Sequence, residues 1–549
     1  EIMPSLVGSE MCIRDSLIAA ICCFAMLLTA CNSNQTPAGS GGDVSTMADS
    51  EKKVLTYAIG AETTDLSTLY MNNSLCCTSK LVYENLVDFD NGEIVPGLAE
   101  SWEYNDDQTE LTFHLRQGIT FHNGEPFNAE AVKTNLEHKQ SNPSFYTLKG
   151  ITDITEMEIV DDYTITLHYD HPFYAYLQDF CWSDVCPMSA PEFIIPDDFQ
   201  TISGVAGTGP YIYDEYVAGE YTRFVRNEDY WGEKPYWDEI IVKYIPDSTS
   251  RLQALQTGEI DMIYGASLLS YEEYDQALTM DGIAGQMADK DTRVQIITTN
   301  ATRPYMSDLR VRQAVAYAID KEELSQATSN GYEPAADMIV TRDTPYADVE
   351  LETTYDYNPD MANQLLDEAG WVMNESTGIR EKDGEPLNLL LTLESDYSAT
   401  SMPTAEVIKS QLAEVGIDVT IYGTEQMQWY ADYLEGKFDL TLWHSQFAFA
   451  SPHCWFTPMD SMVPQTPSLP GIEGSDEFLA TIKDLTNMVD EQEVRDTYTY
   501  LFNFDIGTVL DIPLTYQKDM IVYNTDKISG YTFTGTPYFF DILSLEPAE

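Results

Sequence analysis

Residues Val407–Leu442 read VIKSQLAEVGIDVTIYGTEQMQWYADYLEGKFDLTL, and the alternation of two periods in this stretch decides the fold class. Val407, Ile408, Leu412 and Val415 recur at helical spacing and stop at Gly416, where a helix is expected to end. Ile417, Val419 and Ile421 then alternate with period two, the mark of a half-buried strand. A short helix is predicted near Met427 to Leu434, Gly436 closes it, and Phe438, Leu440 and Leu442 alternate again. Strand, helix and strand of these lengths make an α/β unit.

The same grammar runs outward from it. Asn358-Pro359 is an N-cap and first-turn pair, Met361, Leu365, Leu366 and Ala369 form an apolar stripe, and Gly370 closes the helix. Val311, Ala314, Val315, Ala318 and Ile319, and further back Ala129, Val132 and Leu136, also fall at helical spacing. Val54 to Ile59 begins as a strand, and Leu111–Leu115 with Ile119–Phe121 predicts an antiparallel pair across Arg116-Gln117-Gly118.

At 549 residues the chain is three to four times the roughly 150-residue unit of one domain, so several packed cores are expected. Apolar residues at 43% and aromatics at 12% exclude an intrinsically disordered chain, although 91 acidic residues face only 28 basic ones. A formal charge of −63 repels phosphate backbones and anionic headgroups, which excludes nucleic-acid binding by counterion release.

Leu17–Leu28 is an uncharged apolar run of twelve, short of the ~18 to 20 residues of a membrane span, and it reads as the core of a signal peptide over residues 1–30. Leu28-Thr29-Ala30-Cys31 after it resembles the bacterial lipoprotein signal, which implies lipidation of Cys31 as the mature N-terminus, exported and anchored to the membrane by lipid only. Residues 31–51, rich in Ser, Gly and small polar residues, are then a flexible tether. Residues 1–16, which resemble translated adapter sequence, are set aside from the fold. Glu1, Glu10, Arg14 and Asp15 give the first thirty residues a formal −2, so the exported part keeps −61.

Five thiols besides Cys31 survive cleavage, Cys76, Cys77, Cys181, Cys186 and Cys454, too few for a disulfide framework at this length. No phosphate-cradling glycine loop, nucleophile elbow or H-E-x-x-H helix is found, and Gly207-Thr208-Gly209-Pro210 reads as a tight turn. The chain is therefore expected not to be an enzyme and to need no cofactor.

Val82-Tyr-Glu-Asn-Leu-Val87, Leu98-Ala-Glu-Ser-Trp102, Gly207-Thr-Gly-Pro-Tyr211, Val225-Arg-Asn-Glu-Asp-Tyr-Trp-Gly-Glu-Lys-Pro235, Gly258-Glu-Ile-Asp261 and Glu368-Ala-Gly-Trp371 resemble, in this order, the family-5 solute-binding proteins of ABC importers. The stretches VRNEDYWGEKP, QTGEIDMIYG and IREKDGEPL are more similar to the nickel receptors of that group than to its peptide receptors. The resemblance implies a two-lobed periplasmic-binding-protein-like fold, type II, of the large class with an extra subdomain in lobe I. It places lobe I at 52–293, lobe II at 294–511 and a return segment of lobe I at 512–549, with hinge strands near Val294–Thr299 and Ile512–Tyr516. It also implies a monomer that delivers a small molecule, a metal chelate or a peptide to ABC permease and ATPase subunits.

Aligned on these motifs, the cleft arginines of the nickel receptors fall at Phe145 and Asp184, and their histidine ligand near Thr466. The aspartate with which dipeptide receptors hold the peptide ammonium falls near Ala448, and Ser451-Pro452 replaces their Asp-Pro pair. Both cargo classes stay open, a nickel-type metal ion or chelate being placed first and a di- or oligopeptide second. The ligand candidates are Met71, Cys76, Phe145, Asp184, Trp443, His444, Gln446 and His453, and the metal candidates are His453, Cys454 and Cys76. Thiolate and imidazole suit nickel, zinc or copper as cargo. Core packing competes for each tryptophan, a surface position at a strand end for His444, and a Cys181–Cys186 disulfide or plain burial for the cysteines. His114 and His122 are a further, weaker metal pair.

Overall fold

The computed structural model describes residues 52–548, apart from 61, 63–65, 67–77, 91, 143–147, 182–185, 196–202, 266–267, 396–397, 446–449 and 535–539. Three sheets organise it. A seven-stranded sheet runs in the order Ile283–Met287, Met520–Asn524, Met262–Tyr264, Val54–Ile59, Glu239–Tyr244, Tyr221–Arg226, Tyr211–Val217. Its strands alternate as period two demands: Leu55, Tyr57 and Ile59 enter the core on one face and Ala58 the core on the other, as do Ile521 and Tyr523 against Met520 and Val522.

The five-stranded sheet has the order Asp418–Thr424, Asn388–Glu394, Leu440–Ser445, Arg293–Thr299, Asp511–Gln517. Asn388–Glu394 pairs in parallel with both Asp418–Thr424 and Leu440–Ser445, and the helices Ser401–Glu414 and Gln426–Leu434 make the crossovers, as the periodicity predicts. Gly416 takes φ +84° and lets the chain turn from helix into strand across three residues. The helix Pro359–Glu368 starts where expected: the Asn358 side chain accepts the Met361 N–H at 3.0 Å.

A four-stranded antiparallel sheet, Ala99–Tyr104, Glu110–Leu115, Thr164–Tyr169, Ile154–Asp161, carries a core of its own with the helix Ala129–Ser141. Here one expectation fails. Glu110–Leu115 pairs on both edges, with Ala99–Tyr104 and Thr164–Tyr169, and Thr120 instead bridges Pro126. Ile119 and Phe121 are apolar because they plug this core, so their alternation reflects tertiary burial and not a hairpin.

The motifs that carry the family resemblance pack on one another. Glu84 accepts hydrogen bonds from the Thr208 hydroxyl at 2.7 Å, the Trp231 indole N–H at 2.8 Å and the Tyr230 hydroxyl at 2.8 Å. Burial raises its carboxyl to about 7 against the opposing pull of those three donors. The segment Gly207–Pro210 is a close backbone approach rather than a free turn, since a Cβ on Gly207 would stand 2.0 Å from the Val82 carbonyl oxygen.

The chain passes from the seven-stranded to the five-stranded sheet through residues 288–292 and returns through 518–519. Among the described residues no helix is long and apolar enough to cross a membrane.

Candidate functional site

The two links between the sheets lie side by side, because Arg293–Thr299 and Asp511–Gln517 are antiparallel neighbours. Ala288 N–H donates to the Asp519 carbonyl and Thr292 N–H to the Gln517 carbonyl, both at 2.8 Å, and Lys518 Nζ donates to the Asp289 carbonyl at 3.0 Å. Ion pairs fasten the first link to the loop at 341–343. Lys290 lies 3.2 Å from Asp343, and Arg342 donates twice to Asp291, at 2.6 and 2.9 Å, with its guanidinium over the Tyr516 ring.

A cavity of about 530 Å³ opens on this junction, walled by Asp289, Asp291, Thr341, Asp343, Tyr531 and Phe533 among others. It draws on the first link, on the 341–343 loop and on the C-terminal segment, within the ~300–1,000 Å³ of small-ligand sites. The wall carries three carboxylates and the Lys290 ammonium, and since Asp343 pairs with Lys290 and Asp291 with Arg342, only a small negative excess is left to favour a cationic or neutral solute over an anion. Of the side chains expected from sequence that are among the described residues, Trp443, His444, His453 and Cys454, none lines it.

In the middle of the five-stranded sheet, Trp443 stacks on Trp455 with centroids 4.9 Å apart and donates its indole N–H to the Thr298 hydroxyl at 2.8 Å. That hydroxyl donates in turn to Asp511. His444 sits opposite Gln295 and is buried, which corrects the expectation of a surface histidine. Burial and then the Arg293 charge hold its pKa well below the usual imidazole range, so the ring is neutral.

His453 and Cys454 open the short helix His453–Phe456 and meet Asp179 of the turn Gln178–Cys181. His453 Nε2 lies 2.8 Å from Asp179 Oδ1, and Cys454 Sγ is 3.3 Å from that nitrogen and 3.8 Å from that oxygen. Asp179 Oδ2 accepts the Gly150 N–H at 2.7 Å, His453 Nδ1 is 2.8 Å from Ser451 Oγ, and Ser451 Oγ is 2.8 Å from the Tyr174 hydroxyl. Cys454 packs on the core of the four-stranded sheet, while Trp455 and Phe456 pack on that of the five-stranded sheet. The helix is therefore a wedge between two cores.

Met71, Cys76, Phe145, Asp184 and Gln446 lie outside the described residues, as does Cys31. Cys181 and Cys186 are both buried and are not joined in a disulfide. His114 pairs with Glu103 at 3.5 Å whereas His122 Nε2 lies 2.9 Å from the Gly209 carbonyl, so these two histidines serve different partners. Asp179, Ser451, Arg293 and the cavity wall were not legible in the sequence. Asp179 is 274 residues from His453, and no local pattern marks it.

The profile of the bacterial extracellular solute-binding proteins, family 5 (middle), matches residues 93–465. The nickel-binding periplasmic protein of Escherichia coli (strain K12) is 30% identical over 467 residues, 83% of this chain and 87% of its own. The glutathione-binding protein GsiB of Pectobacterium atrosepticum is 29% identical over 69% of this chain and 71% of its own. The crystal structure of NikA from Brucella suis in complex with Fe(III)-EDTA superposes with a TM-score of 0.84 at 30% identity, covering 90% of this chain and 99% of that one. The fold is the two-lobed α/β class of type II periplasmic binding proteins.

Proposed function

The chain belongs to the family 5 bacterial extracellular solute-binding proteins, and from that membership we propose that it is a lipid-anchored receptor that captures a nickel-type metal chelate and hands it to an ABC permease. It works by capture and not by catalysis. The observation that carries the reading is that the two links between the sheets run side by side and that the first of them walls a small cavity together with the 341–343 loop and the C-terminal segment. A solute held there touches both lobes only when they close, and its differential affinity shifts the open and closed populations. We take lobe I to end at the link 288–292 and to resume after 518–519, with 293–299 and 511–517 as the hinge strands.

Metal is placed ahead of peptide because the nickel-binding relative matches over more of this chain than the glutathione-binding one. Peptide capture is the second reading, favoured by the glutathione-binding relative. Met71, Cys76, Phe145, Asp184 and Gln446 remain the side chains proposed to meet cargo, whereas Trp443, His444 and His453, also expected from the sequence, do not line this cavity. Lipidation at Cys31 completes the reading, the ~20-residue tether spanning roughly 25 Å as a random coil and leaving the lobes free to dock.

Native mass spectrometry of the purified chain, with nickel, nickel–histidine chelate and a peptide library, tests cargo class. A bound nickel species and a smaller scattering radius on loading are expected. A peptide adduct with no nickel species overturns the metal reading. Retention of a Cys31→Ser form in the membrane fraction overturns the anchor.

A further inference from the structure

We propose that Asp179, His453 and Cys454 directly coordinate a divalent transition-metal ion, at a site separate from the cargo cavity, which staples the wedge helix to the subdomain of the four-stranded sheet. The three donor atoms stand at 2.8, 3.3 and 3.8 Å from one another. A triangle with those sides has a circumscribed radius of about 2 Å, the length of a metal–nitrogen or metal–oxygen bond and slightly less than the ~2.3 Å of a metal–sulfur bond. An ion therefore fits less than about 1 Å out of the donor plane with little movement of the protein, leaving one position for a further ligand.

The surroundings have the form of a metal site's outer shell. Asp179 is oriented by the Gly150 N–H on its other oxygen, and His453 by Ser451 on its other ring nitrogen, with Tyr174 behind Ser451. The Phe173 ring stands perpendicular to the imidazole at a centroid distance of 5.1 Å and an angle of 88°, packing hydrocarbon against it. The two ionic side chains are fully buried. Carboxylate plus thiolate cancels the charge of a dication, so the loaded site is neutral and its burial avoids the cost of an unpaired charge. Binding through Nε2 leaves Nδ1 facing Ser451, and the thiol proton, together with any proton on Nε2, leaves to solvent as the ion enters. Thiolate with imidazole selects zinc, cobalt, nickel or copper over magnesium or calcium.

None of these residues lines the cavity, so the inference stands apart from the cargo reading. The test is titration of the metal-stripped, reduced chain with cobalt(II), read by the thiolate-to-cobalt charge-transfer band and by melting temperature. One ion per chain, a sulfur band that zinc abolishes and a raised melting temperature are expected. Cys454→Ser should lose the band, and Asp179→Asn should bind more than tenfold more weakly. Ser451→Ala, which keeps all three donors, should weaken binding about tenfold and guards against misfolding of the other variants. A silent parent, or a band that survives Cys454→Ser, overturns the proposal. Nickel–histidine chelate is followed in parallel. If the chelate still binds to Cys454→Ser the two sites are separate, whereas its loss with the ion would make the cluster the cargo site and overturn the separation. Ion binding without chelate binding defeats the cargo reading alone.

Discussion

Asp511 donates its backbone N–H to Asp505 Oδ1 at 3.2 Å, and both carboxyl groups are buried where the longest helix, Glu491–Thr508, meets the hinge strand Asp511–Gln517. Two acids so close in a dry site cannot both ionise. Burial and then the Asp511 charge raise the Asp505 carboxyl well above its usual range, and burial raises Asp511 to about 6 although Thr298 and Gln465 donate to it. The indole of Trp443 reaches this pair through Thr298, so a proton sits at the root of one hinge strand, two hydrogen bonds from a ligand candidate.

Raised folded-state values mean that the stabilisation from this pair is full below the ordinary carboxyl value near pH 4 and is lost as pH rises through about 6. Asp505→Asn carries a permanent donor where the proton sits and should flatten that decline. The expected outcome is a variant about 1 kcal/mol more stable than the parent at pH 7.5 and equal to it near pH 4. Urea titrations at both pH values check it, and an unchanged pH slope would show that the pair does not share a proton.

Glu84 behaves with the same sign. Its contribution is full below about pH 4.5 and lost as pH rises through about 7. Glu84→Ala strands the buried Thr208 donor and the half-buried Tyr230 one, with the exposed Trp231 free to turn to water, and should cost about 1–3 kcal/mol. In Glu84→Gln the Tyr230 hydroxyl turns to accept from the new amide, so the loss should stay within about 1 kcal/mol and the pH dependence should go. Thermal melts from pH 4 to 8 separate the two.

Gly207→Ala should destabilise by about 3 kcal/mol, because the added methyl meets backbone at Val82 and cannot be relieved by a rotamer change. A shift in urea midpoint of less than a tenth would show that the backbone yields there.

Asn358→Ala removes the cap on the helix Pro359–Glu368 and should cost about 1 kcal/mol without altering cargo affinity, since that helix contributes nothing to the cavity wall. Denaturation and binding measured on one preparation check both halves.

Asp343→Asn removes one wall carboxylate and leaves Lys290 without that partner. Affinity for a cationic nickel chelate should fall several-fold, and more at low ionic strength than at high. Calorimetry at two salt concentrations reads it. Equal affinity in parent and variant would move the cargo away from this cavity.

The helices around Val311, Leu365 and Leu412 and the strands around Leu55, Val419 and Leu442 stand where their periodicity put them. Each is set by side chains within two turns or a few strand positions of one another, and by caps such as Asn358 and stops such as Gly416 that act on the adjacent backbone. The family motifs were legible too, and the structure supplies their cause in the packing of Glu84, Gly207 and Trp231. Ile119 and Phe121 misled because a plug and a strand alternate alike when only one face is buried.

The sequence by itself determined the α/β class, the order of the elements and the kinship of the chain, because hydrophobic period, capping and turn chemistry are local properties. Only the tertiary structure decided that Asp179 meets His453, that Asp505 meets Asp511 inside the core, and that Asp289 and Asp343 face one cavity. A buried polar group takes whatever partner the packing of distant segments brings to it, and desolvation makes that partnership obligatory without leaving any mark on the residues beside it in the chain.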